Sequence, residues 1–453
     1  MTLPIFKKTN KLYVKEYSTL SDSQEIKSQN GEGNKLSKNR FRLNGRSQTS
    51  FMFTFTIIGI LFITLFLFSK NQKLISPIMS PLHSLTQTQV KNNSHEVFGF
   101  APYWTMSKLD NVDFNVLTTL SYFGVTVNAD GSFDKSDPGY ITFQSKKATD
   151  LFKKAHSHGT RVVLTLTLMD NDTLDSFLLD PQAQEVAVNQ AVNEVKNRGI
   201  DGINVDFEYV GNPGSEERNA FSRFVKTLTE KMHKEVPSSK VTVSVYASAA
   251  NAPRLVDIAS VAKYSDGIFM MAYDFAVAGS DIAMPTAPLY GKKEGKYSYD
   301  ISTAVDDFLA QMPANKLILG VPYYGYNYVV YKPGVNVPTR PASWRGSGTA
   351  QTVEYATANV PVEASGWDDV GKVGWKAYYV NETGTWRVLF QDDTKSLSMK
   401  YDFALEKNLG GVGMWALGFD NGTDDLWALL ETKFGKKPIA DARIIDRVIN
   451  DIH

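Results

Sequence analysis

Eight short runs of apolar and β-branched residues, separated by stretches with helical periodicity, constrain this fold most tightly. The runs are VFGFAPYW (97–104), VLTTLSYFGVTV (116–127), RVVLTLTL (161–168), GINVDFEYV (202–210), KVTVSVYA (240–247), DGIFMMAY (266–273), KLILGVPYY (316–324) and GGVGMWALG (410–418). Amphipathic stretches at 143–158, 183–197, 217–234, 299–311 and 423–434 lie between them, and two close on Gly159 and Gly199. Such alternation builds βα units and a parallel sheet. Eight units close naturally into a (β/α)8 TIM barrel, an α/β fold that typically takes about 250 residues. Here the barrel runs over about 96–435, and the excess length sits between the seventh and eighth strands. Residues 325–395 there are turn-rich and aromatic (Trp344, Trp367, Trp375, Tyr378, Tyr379, Trp386). They are expected to form a small inserted α+β subdomain, mostly β in character. An open doubly wound sheet is the alternative, but no glycine-rich phosphate loop follows the first strand to support it.

One segment does not fit a barrel. Residues 51–68 read FMFTFTIIGILFITLFLF, and no charge occurs from Ser47 through Ser69. A helix of that length spans about 27 Å, close to the hydrocarbon thickness of a bilayer. The sequence that follows, Ser69-Lys70-Asn71-Gln72-Lys73, is polar and charged and has no small-residue cleavage pattern. The segment therefore reads as an uncleaved transmembrane signal anchor rather than a cleaved signal peptide. Five basic residues lie in 31–50, against Lys70 and Lys73 beyond the span. The positive-inside rule then places the N-terminus in the cytoplasm and the barrel outside, on a single-pass anchor in the cell membrane.

Charge supports the same division. The chain carries 48 basic and 48 acidic side chains, but residues 1–50 hold ten basic against four acidic, a net +6 that leaves −6 elsewhere. Residues 1–50 are expected to be a disordered basic cytoplasmic tail, 69–95 a linker and 436–453 a C-terminal tail. Because the basic excess serves orientation, no nucleic-acid partner is expected. The absence of cysteine excludes disulfides, thiolate zinc sites and cysteine nucleophiles. A monomer joined to the membrane through 51–68 is expected.

The chemistry concentrates in Asp201-Gly202-Ile203-Asn204-Val205-Asp206-Phe207-Glu208. Alternate side chains on a strand share a face, so Asn204, Asp206 and Glu208 point one way and Ile203, Val205 and Phe207 the other. In a barrel the polar set lines the interior toward the C-terminal end, where catalytic groups belong. A hard cation is a rival occupant. All six histidines lie outside the barrel strands, at 83, 95, 156, 158, 233 and 453, which also removes a Ser-His-Asp arrangement. Carboxylates two residues apart along a strand, with bases roughly 6–7 Å apart, can share a proton. That raises one pKa, as a general acid near neutral pH requires. The residues themselves thus support an acid pair in a barrel mouth and a hydrolytic role on glycosides or esters.

Asp201–Glu208 resembles the DxxDxDxE signature of family 18 glycoside hydrolases, the chitinase superfamily. Met271-Ala272-Tyr273-Asp274 is similar to the family's Met-x-Tyr-Asp motif on the sixth strand, and Trp415 to its tryptophan on the eighth. Gly99-Phe100 with Tyr103, Gly320-Val321-Pro322-Tyr323-Tyr324-Gly325 and the insertion after the seventh strand also fit. The resemblance covers about 96–435. It implies a membrane-anchored glycosidase cleaving β-1,4 linkages in N-acetylglucosamine-containing glycans, chitin oligomers or peptidoglycan. The implied mechanism is retaining and substrate-assisted, an exception to the two-carboxylate scheme, and needs no cofactor or metal. On it Glu208 is the acid, Asp206 stabilises the substrate acetamido group and Tyr273 donates to its oxygen. Substrate contacts are implied for Asn204, Asp274, Met271 and Trp415, with Tyr103 and Tyr323 on the pocket wall.

Two departures stand out. Asn204 occupies the place of the middle aspartate; an amide is expected to hydrogen-bond Asp206 without sharing its proton. The third strand, Leu164-Thr165-Leu166-Thr167-Leu168, lacks the Ser-x-Gly-Gly run usual in chitinases. Together with Trp-Ala-Leu-Gly at 415–418, these features resemble bacterial members associated with spores and cell walls. A catalytically inactive glycan-binding protein is the alternative function.

Overall fold

A computed structural model describes residues 95–435 apart from 253. The tail 1–50, the span 51–68, the linker 69–95 up to its last residue and the tail 436–453 lie outside the described residues. Among those described, no helix is long and apolar enough to cross a membrane.

Eight strands close a parallel barrel. They are β1 (Glu96–Pro102), β2 (Thr119–Thr126), β3 (Arg161–Leu168), β4 (Gly202–Phe207), β5 (Lys240–Tyr246), β6 (Gly267–Met271), β7 (Leu317–Pro322) and β8 (Gly411–Trp415). Each pairs with its neighbours in sequence, and β8 pairs back onto β1. The helices α1 (Lys146–Ser157), α2 (Pro181–Arg198), α3 (Ser215–Glu235), α4 (Ile258–Tyr264), α5 (Ile301–Leu309), α6 (Thr394–Glu406) and α7 (Asp424–Phe434) fill the connections that follow β2 to β8. Between β1 and β2 the chain makes only the 3-10 turn Tyr103–Lys108. Local chemistry sets the helix ends: Asp180 caps α2 with Pro181 at its first position, and Gly199 ends it in the left-handed region at φ 61°.

Strand parity divides the core in two. Ile203, Val205 and Phe207 face outward into the shell shared with the helices, where Phe207 stacks on Phe224 of α3 with ring centres 5.6 Å apart. Phe98, Phe100, Phe123, Val163, Phe269, Met271 and Ile318 form a second cluster. These alternate with the outward set along their strands and fill the barrel interior. The ring of Phe269 lies where Gly320 and Gly413 leave room; a Cβ at either position would come within 2.5 Å of it.

The insertion is a five-stranded antiparallel sheet in the order 351–354, 324–330, 385–391, 373–380, 364–368. It follows β7 after a single residue, Tyr323, so its first strand continues out of the barrel. The α component expected of this segment reduces to two 3-10 turns, Trp344–Gly346 and Tyr355–Thr357. The next helix, α6, begins after the sheet has ended.

Candidate active site at the C-terminal mouth of the barrel

The inward set of β4 carries the site. Asp206 is 3% exposed, and its Oδ1 is buried without a hydrogen-bond partner among the described residues. Burial raises its pKa well above the ordinary carboxyl range, and the neighbouring Glu208 raises it further. Glu208 follows the strand end, anchored by its N–H on Leu168 O at 2.9 Å. Burial raises its pKa too; a hydrogen bond from the Tyr246 hydroxyl opposes that shift and Asp274 adds to it. Tyr273 is held neutral, with a pKa pushed up by burial and then by Asp206, Asp274 and Glu208. All three carboxylates thus act on one tyrosine hydroxyl, which keeps its proton to donate.

Asp274 supplies the far wall. It adopts φ 59°, a conformation rare outside glycine and found where the surroundings hold a residue in place. Here the hold is explicit. Tyr324 and Tyr326 donate to its Oδ1 at 2.5 and 3.0 Å, Thr286 Oγ1 lies 3.2 Å from the same oxygen, and the Asp274 N–H donates to Thr286 at 3.2 Å. Both tyrosines come from the first strand of the insertion, which therefore positions this carboxylate.

Trp415 ends β8 and forms the floor. Its ring centre is 4.7 Å from Phe123, 5.5 Å from Phe100 and 6.3 Å from Trp104. Met271 packs beside them in the interior cluster.

Three expected contacts differ. Asn204 does not reach Asp206: its Oδ1 accepts from Thr242 at 2.8 Å and its Nδ2 donates to Ser244 at 3.0 Å, both on β5. Tyr323 is not on the pocket wall. It is 1% exposed, its hydroxyl lies 3.4 Å from that of Tyr401 on α6, and its N–H donates to Trp415 O at 2.7 Å. Parity explains this: Ile318, Gly320 and Pro322 point inward, so Tyr323 points out and Tyr324 reaches the site. Tyr103 packs on the outer core, and its pKa is raised by burial and then by Asp137 rather than by the site carboxylates. Its neighbour Trp104 takes the place at the floor and has an indole N–H buried without a partner among the described residues.

Sequence reasoning missed Tyr246. Lys240, Thr242, Ser244 and Tyr246 alternate with Val241, Val243 and Val245, the same inward polar set that singled out β4. The first aspartate of the signature has a structural job instead. Asp201 Oδ2 accepts from Val162 N–H at 2.7 Å and lies 2.7 Å from His156 Nε2 of α1. Asp266 repeats the device with Val241 and His233.

The family model described as Glycosyl hydrolases family 18 matches residues 71–420. Human di-N-acetylchitobiase is 27% identical over 67% of this chain and 80% of its own length. The cortical fragment-lytic enzyme of Bacillus subtilis is 24% identical over 65% of this chain and 67% of its own. The crystal structure of Ostrinia furnacalis Group IV chitinase in complex with allosamidin superposes with a TM-score of 0.65 at 22% identity, covering 75% of this chain and 98% of the other.

Proposed function

From the premise that the chain belongs to glycosyl hydrolase family 18, we propose that it cleaves β-1,4 linkages of N-acetylglucosamine in chitin oligomers or peptidoglycan, by a retaining, substrate-assisted mechanism. Glu208, whose pKa is raised by burial, gives its proton to the departing glycosidic oxygen. The substrate's acetamido oxygen attacks the anomeric carbon as that bond breaks, forming a cyclic oxazolinium. Asp206 accepts the acetamido N–H and offsets the developing positive charge. Tyr273 donates its hydroxyl to the acetamido oxygen. Glu208 then takes a proton from water, which opens the ring and restores the original anomeric configuration. Asp274 orients the sugar, and its apolar face stacks on Trp415.

The observation that carries this reading is the Asp206 Oδ1 atom, buried beside a second carboxylate and unpartnered among the described residues. Such an atom is costly unless a ligand donates to it. Product analysis tests the reading. The full chain should release shorter sugars from chitin oligomers or peptidoglycan, and Glu208→Gln should do so at least about 100-fold more slowly. Binding of both glycans without turnover by the wild type would favour the glycan-binding alternative.

Residues 51–68 are proposed to anchor the chain in the cell membrane, with the N-terminus cytoplasmic and the barrel outside. Protease added to intact cells should then digest the barrel and spare residues 1–50; protection of the barrel would reverse the topology.

A further inference from the structure

Side chains of β4 and β5 face each other across the barrel interior like the rungs of a ladder. The register sets Asn204 beside Thr242 and Val205 beside Val243. One step further it sets Asp206 beside Ser244, and beyond that Glu208 meets Tyr246. The polar members of these pairs all point inward. In the lowest rung Thr242 donates to Asn204 Oδ1 at 2.8 Å, and in the highest the Tyr246 hydroxyl donates to Glu208. In both, β5 supplies the donor and β4 the acceptor. The middle rung is open. Asp206 Oδ1 is buried with no donor, and the Ser244 hydroxyl proton has no acceptor, among the described residues.

Ser244 is set to donate upward. It is 2% exposed, and its Oγ accepts from Asn204 Nδ2 at 3.0 Å. The bond runs in this sense because Thr242 takes the oxygen end of the Asn204 amide and leaves the nitrogen end for Ser244. A hydroxyl that accepts from below still has its one proton to give. The next acceptor up the strand is Asp206. An aspartate in place of Asn204 would draw that proton down instead, so the amide is what frees it. On the other side of Asp206, β3 sets Thr167 in register with it. The hydroxyls of β3 turn away from β4, however: Thr165 Oγ1 lies 2.7 Å from Ser121 Oγ on β2, although its partner in register on β4 is Asn204.

Resting on the hydrolase reading above, we propose that Ser244 is a positioning residue for the reaction, whose hydroxyl donates to Asp206 once that carboxyl is ionised. A neutral aspartic acid gains little from the donor. A carboxylate facing the acetamido N–H and an oxazolinium gains more, because a charge-assisted hydrogen bond is roughly twice as strong as a neutral one. The closed rung keeps the negative charge on Asp206 and leaves the working proton on Glu208. The titratable groups that face Asp206 are all acids: Glu208 on its own strand, Tyr246 on β5, and Tyr273 and Asp274 at the end of β6. β3 faces it with the neutral Thr165 and Thr167. With no cation paired to Asp206 among the described residues, a neutral donor takes that role.

The test is the pH profile of kcat/KM on chitin hexamer, measured with the full chain. A donor to the carboxylate lowers the pH at which Asp206 ionises, so losing it moves the acid limb to higher pH. Ser244→Ala should therefore move that limb upward and lower kcat by about 10-fold or more, with KM little changed. Ser244→Thr keeps the hydroxyl and should retain both. Ser244→Cys, a weaker donor, should fall between, and it replaces the alanine variant if that one does not fold. An acid limb that stays in place in Ser244→Ala, whatever happens to kcat, overturns the proposal and leaves Ser244 as a prop for Asn204. A limb that moves in Thr167→Val instead puts the donor on β3 and overturns it too. If the wild type cleaves no glycan, the hydrolase reading fails on its own. Infrared titration then decides for Ser244, with the Asp206 carboxyl band identified by its loss in Asp206→Asn. A band that persists to higher pH in Ser244→Ala than in wild type supports the hydrogen bond, and an unmoved band overturns it.

Discussion

The two ends of this barrel handle buried charge in opposite ways. At the N-terminal end, the first residues of four strands close the interior around one carboxylate tied to two cations. Glu96 of β1 accepts from Thr119 of β2 and Lys240 of β5, and Arg161 of β3 lies 3.3 Å from it. Burial alone would raise the pKa of Glu96, but Lys240 and Arg161 outweigh it and hold the group below its ordinary value. At the C-terminal end, Asp206, Glu208 and Asp274 gather with no cation paired to any of them among the described residues, and the pKa values of Asp206 and Glu208 rise. Identical chemistry, a carboxyl at a strand end, becomes a structural tie in one place and a proton reservoir in the other. The difference lies in whether a cation arrives on a neighbouring strand. The contrast shows which end stabilises the fold and which end strains it for chemistry.

Substitutions can sharpen or break that contrast. The largest effect is expected for Glu208→Gln, which should lower kcat on N-acetylglucosamine oligomers by between about 100-fold and 10,000-fold, read by steady-state kinetics. Next is Glu96→Gln, which leaves Lys240 and Arg161 without their partner and should destabilise the fold by about 3 kcal/mol in urea unfolding at pH 7. Because the folded value of Glu96 is depressed, its contribution is present above the unfolded carboxyl value and is lost as pH falls through the folded one. The difference between Glu96→Gln and wild type should therefore shrink in acid.

Asp206→Asn should do the reverse, lowering turnover by less than Glu208→Gln does while stabilising the fold by about 1 kcal/mol at pH 7. Asp206 keeps its proton to a higher pH folded than unfolded, so the folded state is penalised as pH rises past the unfolded carboxyl value. The gain from the amide should accordingly vanish below about pH 3. A loss of stability at pH 7 would contradict the assignment of Asp206 as a strained group.

The smallest effects concern the pH profile. Tyr246→Phe removes a hydrogen bond that lowers the Glu208 value, so the acid stays protonated to higher pH and the alkaline limb of kcat/KM should move upward. Asn204→Asp adds a negative charge near the pair and should move the same limb in the same direction. The hydroxyls of Thr242 and Ser244 are already placed to satisfy the new carboxylate. A limb that stays in place in both variants would mean that Glu208 is not the group titrating there.

Much of this was legible from period and spacing. All eight barrel strands and the five amphipathic helices fall where the pattern places them, because parallel strands and barrel helices carry strong local signals. The β4 alternation identified Asp206 and Glu208 for the same reason. What escaped depended on parity or on distant partners. Applying the same alternation to β5 would have found Tyr246, and counting inward positions on β7 would have exchanged Tyr323 for Tyr324. The choice of Trp104 over Tyr103 follows from a 3-10 turn that periodicity does not announce. The Asn204 partners depend on the register that sets Asn204 beside Thr242 on β5, a long-range fact. The buried ion pair of Lys400 and Asp392 is equally silent in sequence, eight residues apart across the start of α6.

The central claim is that the substrate's own acetamido group, held by Asp206 and Tyr273, is the nucleophile. Proton NMR of the new reducing end during hydrolysis of chitin hexamer by the full chain tests it most directly. The account predicts that the β-anomer appears first and mutarotates later, and that an oligomer lacking the N-acetyl group on the sugar to be attacked is not cleaved. Initial release of the α-anomer, or equal cleavage of the deacetylated oligomer, would contradict it.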